Sequence, residues 1–203
     1  MKQRMQQTKA WKHPKALVES SSVGAGTRVW AFAHIMKDAI VGSGCNIGEQ
    51  VFVESGARIG DRVTVKNGVQ VWEGVTLEDD VFVGPGVAFT NDRYPRSPRS
   101  AAAGEKYSTK AWIAPVVVER GASIGANATV VCGVTIGRSS MIAAGAVVTK
   151  SIPAFALVRG VPARICGYVC VCGQPLAIPK NGRVACRECR RCYHRIPGGL
   201  VAG

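Results

Sequence analysis

Three shortages narrow the reading of this chain before any motif is considered. No apolar run is long enough to cross a bilayer, and the basic stretch from Met1 to Lys15 lacks the apolar centre of a signal peptide. A membrane span is therefore excluded, and the expected location is the cytoplasm. Histidine is scarce, with only His13, His34 and His194, so a three-histidine metal centre has no suitably spaced ligands. Acidic residues nearly vanish from the second half: residues 93–203 hold sixteen Lys and Arg against Glu105, Glu119 and Glu188, whereas residues 1–92 balance ten against ten. The net charge of +13 thus lies wholly in the C-terminal half, a field that attracts phosphorylated partners. Aromatics in that half are few, namely Tyr94, Tyr107, Trp112, Phe155, Tyr168 and Tyr193. Without aromatics interleaved among the charges, nucleic acid is not the expected partner.

What the chain does have is a period. Every sixth residue from Leu17 to Phe89 is apolar, through Val23, Val29, Ile35, Val41, Ile47, Val53, Ile59, Val65, Val71, Leu77 and Val83. Four positions after each of the first twelve comes a small or β-branched residue, from Ser21 and Thr27 through Cys45 to Val81 and Val87. Neither a helix nor an alternating strand keeps period six for so long. A solenoid does, each six-residue unit giving one flat strand and a corner, three units closing a coil of eighteen. The 24 glycines suit a fold of many tight corners. The fold class expected is all-β, a parallel β-helix.

The period stops at Thr90. A loop over about 90–111 carries Asn91-Asp92, two prolines and three arginines, and long loops on regular scaffolds are usually functional. The period then resumes in a new phase, with Val118, Ile124, Val130, Ile136, Ile142 and Val148. The expected organisation is a lead-in over 1–16, in which Met5, Ala10 and Trp11 touch the first coil, a β-helix over 17–165 and a cysteine-rich tail over 166–203. Residues eighteen apart stack at roughly 4.8 Å. Stacking places His34, Glu54, Gln70 and Trp72 on one face below the departing loop. Exposed aromatics beside a Glu and a His mark a ligand site or a subunit interface.

With these residues in view, the chain resembles the hexapeptide-repeat acyltransferases. The resemblance covers roughly residues 12–168. Within that family, the runs Trp30-Ala-Phe-Ala-His-Ile35, Val51-Phe-Val-Glu54, Val69-Gln-Val-Trp-Glu-Gly74 and Gly84-Pro-Gly-Val-Ala-Phe-Thr-Asn-Asp-Arg-Tyr-Pro-Arg96 resemble N-acetyltransferases of 3-amino nucleotide sugars. The nearest resemblance is to those acetylating UDP-2-acetamido-3-amino-2,3-dideoxy-glucuronate for bacterial surface polysaccharides. A dTDP-linked 3-amino-3,6-dideoxyhexose is the alternative substrate. The resemblance implies a left-handed helix, a homotrimer with sites between subunits, and acetyl-CoA as cosubstrate. Sugar O-acetyltransferases of this fold place a catalytic His ten residues after the Gly of their Gly-Pro motif. Here that position is Tyr94. A hydroxyl needs a positioned base where a neutral amine does not, so the loss fits amine acetylation.

The resemblance implies that Asn91 holds the sugar amine, with His34 and Glu54 as candidates for taking the proton or orienting the sugar. Gln70, Trp72, Asp92, Arg93, Tyr94 and Arg96 are the expected substrate-binding residues. Backbone groups at Ala126, Ala143 and Ala144 are expected along the pantetheine arm, with Arg159 or Arg164 at the adenosine phosphates. Arginine matches phosphate geometry well.

In the tail, Cys170-Val-Cys172, thirteen residues and Cys186-Arg-Glu-Cys189 read as four ligands of a structural Zn²⁺, with Cys192 and His194 as possible replacements. A tail this short needs a staple, and disulfides are disfavoured in a cytosolic protein. The rival of another class is a non-enzymatic β-helical scaffold whose zinc ribbon binds nucleic acid. A zinc carbonic anhydrase of this helix type is set aside for want of histidines.

Overall fold

In the computed structural model, which describes residues 9–177, 182–196 and 199–203, the period becomes three parallel sheets around one core. The first sheet includes Arg28–Val29, Asn46–Ile47, Thr64–Val65, Phe82–Val83, Ser123–Ile124 and Met141–Ile142. The second includes His34–Ile35, Phe52–Val53, Gln70–Val71, Ala88–Phe89 and Thr129–Val130. The third includes Ile40–Val41, Arg58–Ile59, Val75–Leu77, Val116–Val118 and Thr135–Ile136. The chain visits the three sheets in turn, so each strand bonds to the strand eighteen residues away: His34 to Phe52, then Phe52 to Gln70. The apolar column points inward and is buried throughout, forming one continuous cluster from Val29 to Val158. Burying each Val or Ile contributes roughly 1.5–3 kcal/mol. The protein is an all-β parallel β-helix.

From Gly26 to Gly86 and from Gly121 to Gly145, residues of positive φ mark the corners, and these too recur at six. The series runs Gly26, Phe32, Asp38, Gly44, Gln50, Gly56, Arg62 and onward to Gly86. An L-residue in this region costs roughly 1–2 kcal/mol. Phe32 and Phe155 are the two aromatic residues to bear that cost, and the Phe32 ring is exposed beside Lys15.

The first coil departs from expectation. Val18, not Leu17, pairs with Ile35; Leu17 pairs with His34 and is 54% exposed. Ser20, not Ser21, is the buried corner residue, its Oγ donating to the Ala39 carbonyl at 2.7 Å. Strand structure begins earlier than Leu17: Trp11–Lys12 pairs parallel with Arg28–Val29, and the Trp11 ring meets Trp30 edge-on at 5.3 Å. Residues 9–16 therefore belong to the helix rather than to a lead-in, while Met5 lies outside the described residues.

The insertion leaves the core untouched. Leu77 pairs with Val118, Val83 with Ile124 and Phe89 with Val130, forty-one positions apart, and the sheets continue in register. At the far end the strand Ala156–Arg159 turns back antiparallel onto Arg164–Val169, which pairs in turn with Pro175–Leu176. The expected boundary at 165/166 falls inside a strand, so the tail grows directly out of the first sheet. Its own sheet comprises Arg183–Ala185, Cys192–Ile196 and Gly199–Ala202. Phe155, from the last coil, sits in the tail's small core with Cys170, Leu176, Cys186, Tyr193 and Leu200.

Candidate active site

The second sheet carries the outward column foreseen from the period. His34, Phe52, Gln70 and Ala88 occupy successive rungs. The His34 and Phe52 rings meet edge-on at 5.4 Å, and Phe52 and Trp72 tilt together at 5.6 Å. Trp72 Nε1–H donates to the Phe89 carbonyl at 3.0 Å, and Gln70 Nε2–H to the Gly68 carbonyl at 2.8 Å. His34 does not meet Glu54. Its Nε2 lies 3.1 Å from Glu19 Oε2 instead. Glu19 was invisible to the sequence reading because the one-residue shift in the first coil moves it onto this face. Three rungs separate His34 from the rung of Ala88, about 14 Å, so His34 does not reach an amine held by Asn91 of the same chain.

Asn91 stands where the loop leaves the corner between the second and third sheets. Its Nδ2–H donates to the Glu73 carbonyl at 3.2 Å, and its own carbonyl accepts from Ala114 N–H at 2.9 Å. No donor meets Oδ1 among the described residues, so that acceptor remains available. Glu54 Oε2 accepts from Glu73 N–H at 2.7 Å. Lys110, on the loop's return leg, reaches Glu73 Oε1 at 2.5 Å.

The neighbouring Asp92 is fully engaged within the loop. Lys106 Nζ contacts both its oxygens at 2.7 Å, and the Tyr107 hydroxyl and Tyr94 N–H donate at 2.7 and 2.9 Å. Asp92 is therefore the lock of the loop rather than a free substrate ligand. The Lys106 ammonium, with Tyr107 and the Tyr94 N–H, holds its carboxyl below the ordinary value. A depressed carboxyl contributes stability above its unfolded pKa and loses it as pH falls through the folded value. Hydrogen exchange should accordingly show protection of residues 92–113, corrected for intrinsic rates, falling as pH drops below the usual carboxylate range. Lys106→Met should be unprotected at all pH. Arg93 turns up the corner to the Cys132 carbonyl at 3.5 Å, and Arg96 folds onto the Pro95 carbonyl at 3.0 Å, while Tyr94 is exposed.

A second set of candidates gathers at another corner, between the first and second sheets. Ala126 and Ala144 stack there on adjacent rungs, and neither N–H donates to a backbone group among the described residues. The stack is tight: a Cβ on Gly125 would lie 2.5 Å from Ala144 N. Ala143 is different, since its N–H donates to Val158 and its carbonyl accepts from Ala146. Both its backbone groups are engaged within the coil, so it differs from Ala126 and Ala144 in having no unpaired N–H. One rung further, Arg159 pairs directly across the final hairpin with Arg164, both exposed. Ala126, Ala144 and the two arginines thus form one strip ending in two positive charges.

In the tail the four expected thiols converge. Cys170, Cys172, Cys186 and Cys189 have their Sγ atoms within 4.8 Å of one another. Cys170 and Cys189 are 3.2 Å apart, Cys172 and Cys186 3.7 Å; tetrahedral zinc with bonds of about 2.3 Å calls for sulfur separations of about 3.8 Å. Burial alone would raise the Cys170 thiol. The Cys172 N–H, the Tyr193 hydroxyl and neighbouring thiols outweigh it and bring the pKa down to about 6. Cys192 and His194 are not in the cluster; Cys192 Sγ points to the Arg190 carbonyl at 3.9 Å.

Coil, loop and strip together define an acyl-transferring β-helix, and comparison with known proteins agrees. The family model "Bacterial transferase hexapeptide (six repeats)" matches residues 20–55, and "Hexapeptide repeat of succinyl-transferase" matches 39–72 and 115–150. The chain is 50% identical over 190 residues to the dTDP-3-amino-3,6-dideoxy-alpha-D-galactopyranose 3-N-acetyltransferase of Aneurinibacillus thermoaerophilus, spanning 94% of this chain and 93% of that one. Coverage so high takes in part of the cysteine tail. A 51-residue segment is 47% identical to 2,3,4,5-tetrahydropyridine-2,6-dicarboxylate N-acetyltransferase of Staphylococcus aureus, covering 25% of this chain and 21% of the relative. Among solved structures, the acetyltransferase domain of PglB from Neisseria gonorrhoeae matches with a TM-score of 0.51 at 22% identity, over 78% of this chain and 58% of that one. This protein belongs to the hexapeptide-repeat acyltransferases. It is an enzyme, and the scaffold alternative falls.

Proposed function

We propose that the enzyme transfers the acetyl group of acetyl-CoA to the 3-amino group of a nucleotide-linked amino sugar, a dTDP-3-amino-3,6-dideoxyhexose. The whole-length likeness to the dTDP-sugar relative carries this reading. It favours the alternative substrate over the UDP-glucuronate sugar, which rests on the resemblance of four short runs between Trp30 and Arg96.

In this mechanism the Asn91 Oδ1 accepts a hydrogen bond from the amine and aims its lone pair at the thioester carbon. The C–N bond forms, the C–S bond breaks, and the amine proton ends on the CoA sulfur. Proximity and a backbone N–H at the oxyanion supply the acceleration, so no strong protein base is required. The Ala126 and Ala144 N–H groups are proposed along the pantetheine arm, with Arg159 and Arg164 at the phosphates. Because the Asn91 corner and the CoA strip lie on different corners of one chain, the two substrates meet between subunits of a homotrimer. The exposed Trp30, Phe32 and Ile40 suit such an interface. The four tail thiolates are proposed to hold a structural Zn²⁺, which supplies a staple and takes no part in transfer.

The test is CoA release from acetyl-CoA with each sugar. A kcat/KM at least about tenfold higher on the dTDP sugar, equivalent to about 1.4 kcal/mol, is expected. The reverse preference would restore the UDP uronate, and release with neither would overturn the substrate class.

A further inference from the structure

Glu54 is close to the candidate chemistry in sequence pattern yet two rungs below Asn91, about 10 Å along the axis. Its carboxylate reaches up one rung and is committed there to the Glu73 backbone rather than left free as a base, and the expectation of a proton-accepting Glu54 has another reading. Its contacts supply one. Glu54 Oε2 accepts from Glu73 N–H at 2.7 Å, and the carbonyl of the same residue accepts Asn91 Nδ2–H at 3.2 Å. The Glu73 side chain is taken by Lys110 at 2.5 Å, and the Asn91 carbonyl by Ala114 N–H at 2.9 Å. Residue 73 is thus gripped at its N–H, its carboxylate and its carbonyl.

We infer that Glu54 is a positioning residue, acting through residue 73 to set which way the Asn91 side-chain amide faces. This rests on the proposal that Asn91 receives the sugar amine. A backbone carbonyl can only accept. While the Glu73 carbonyl points at Asn91, the amide must present its NH₂ inward and its Oδ1 outward. A flipped amide would put Oδ1 against that carbonyl, two acceptors face to face, and offer NH₂ donors to an amine whose lone pair must stay free. The charge-assisted bond that Glu54 makes to the N–H of the same residue anchors the peptide just before it, so that only the torsions of residue 73 itself stand between that anchor and the Glu73 carbonyl. The loop contributes through Lys110, so an ordered loop and a correctly facing amide are the same state. Glu54 needs length and an acceptor for this task. It does not need to exchange a proton.

That distinction separates positioning from base catalysis. Glu54→Gln keeps the length and the acceptor oxygen, and should retain kcat within about threefold with an unchanged pH profile. Glu54→Asp keeps the charge but falls short of Glu73 N–H. It should lose at least about tenfold in kcat, roughly the effect of one positioned hydrogen bond, with KM for acetyl-CoA unmoved. Combined with Asn91→Ala, Glu54→Asp should add no further loss, because both act on one group. A dead Glu54→Gln beside an active Glu54→Asp would make Glu54 a base and overturn the inference; so would two unaffected variants. A readout independent of turnover is the side-chain NH₂ resonance of Asn91 in ¹⁵N-asparagine-labelled protein. Its hydrogen-bonded shift should persist in Glu54→Gln and vanish in Glu54→Asp, and an unmoved resonance in Glu54→Asp sinks the inference even if neither sugar is turned over. Full activity of Asn91→Ala with the NMR result intact would instead fail the reading of Asn91 alone.

Discussion

Asn91→Ala is expected to lower kcat for amino-sugar acetylation by about a hundredfold to a thousandfold, the range found when a preorganised hydrogen-bonding group is removed from an acyl-transfer site. The β-helix should be unaffected, because Asn91 contributes one bond to the Glu73 carbonyl, while Ala114 N–H still reaches the backbone of residue 91. KM for acetyl-CoA should stay within about twofold, since the strip proposed for CoA lies on another corner and the amine contact matters only once both substrates are bound. Single-turnover rates would separate this from slow product release. A variant as fast as wild type would remove Asn91 from the chemistry and leave the free acceptor without a role.

Removing the metal proposed for the tail should have the other large effect, on structure. The tail's own core comprises Phe155, Cys170, Leu176, Cys186, Tyr193 and Leu200, too few side chains to order a segment of this length. Metal binding at four thiolates is worth about 10–16 kcal/mol in isolated zinc modules at neutral pH. Metal analysis should find about one zinc per chain. Chelation, or the double change Cys172→Ser with Cys186→Ser, should release it and open residues 166–203 to protease while the coils resist. The Tyr193 hydroxyl, 3.0 Å from Cys170 Sγ, should become solvent-accessible at the same time. A metal-free protein whose tail resists protease as purified would refute the staple.

Much of this molecule was legible because a β-helix is written in arithmetic. From Val29 to Phe89 and from Val118 to Val148 the apolar period gives the buried column and its rungs without error. The cysteine cluster was legible for a similar reason, since short spacings bring thiols together whatever surrounds them. The first coil was not. Leu17 and Val18 are both apolar, and only the stacking of Val18 on Ile35 decides which turns inward, with Glu19 brought to His34 as the result. The lock on Asp92 was hidden too, because Lys106 and Tyr107 reach it across a loop with no repeat to extrapolate. The separation of His34 from Asn91 was implicit in the period, as eighteen-residue steps run along the axis as well as around it.

The loop's manner of leaving and rejoining has a consequence for how such enzymes diversify. Phe89 and Val130 pair as if nothing lay between them, so the scaffold does not record how long the excursion is. Doubling such a loop costs about 0.6 kcal/mol in closure entropy, well below the cost of disturbing one buried rung. Segments between Asn91 and Ala114 can therefore be exchanged between relatives like interchangeable jaws on a fixed handle. Grafting that segment onto a related β-helix should carry sugar preference with it, while the coil beneath keeps its melting behaviour.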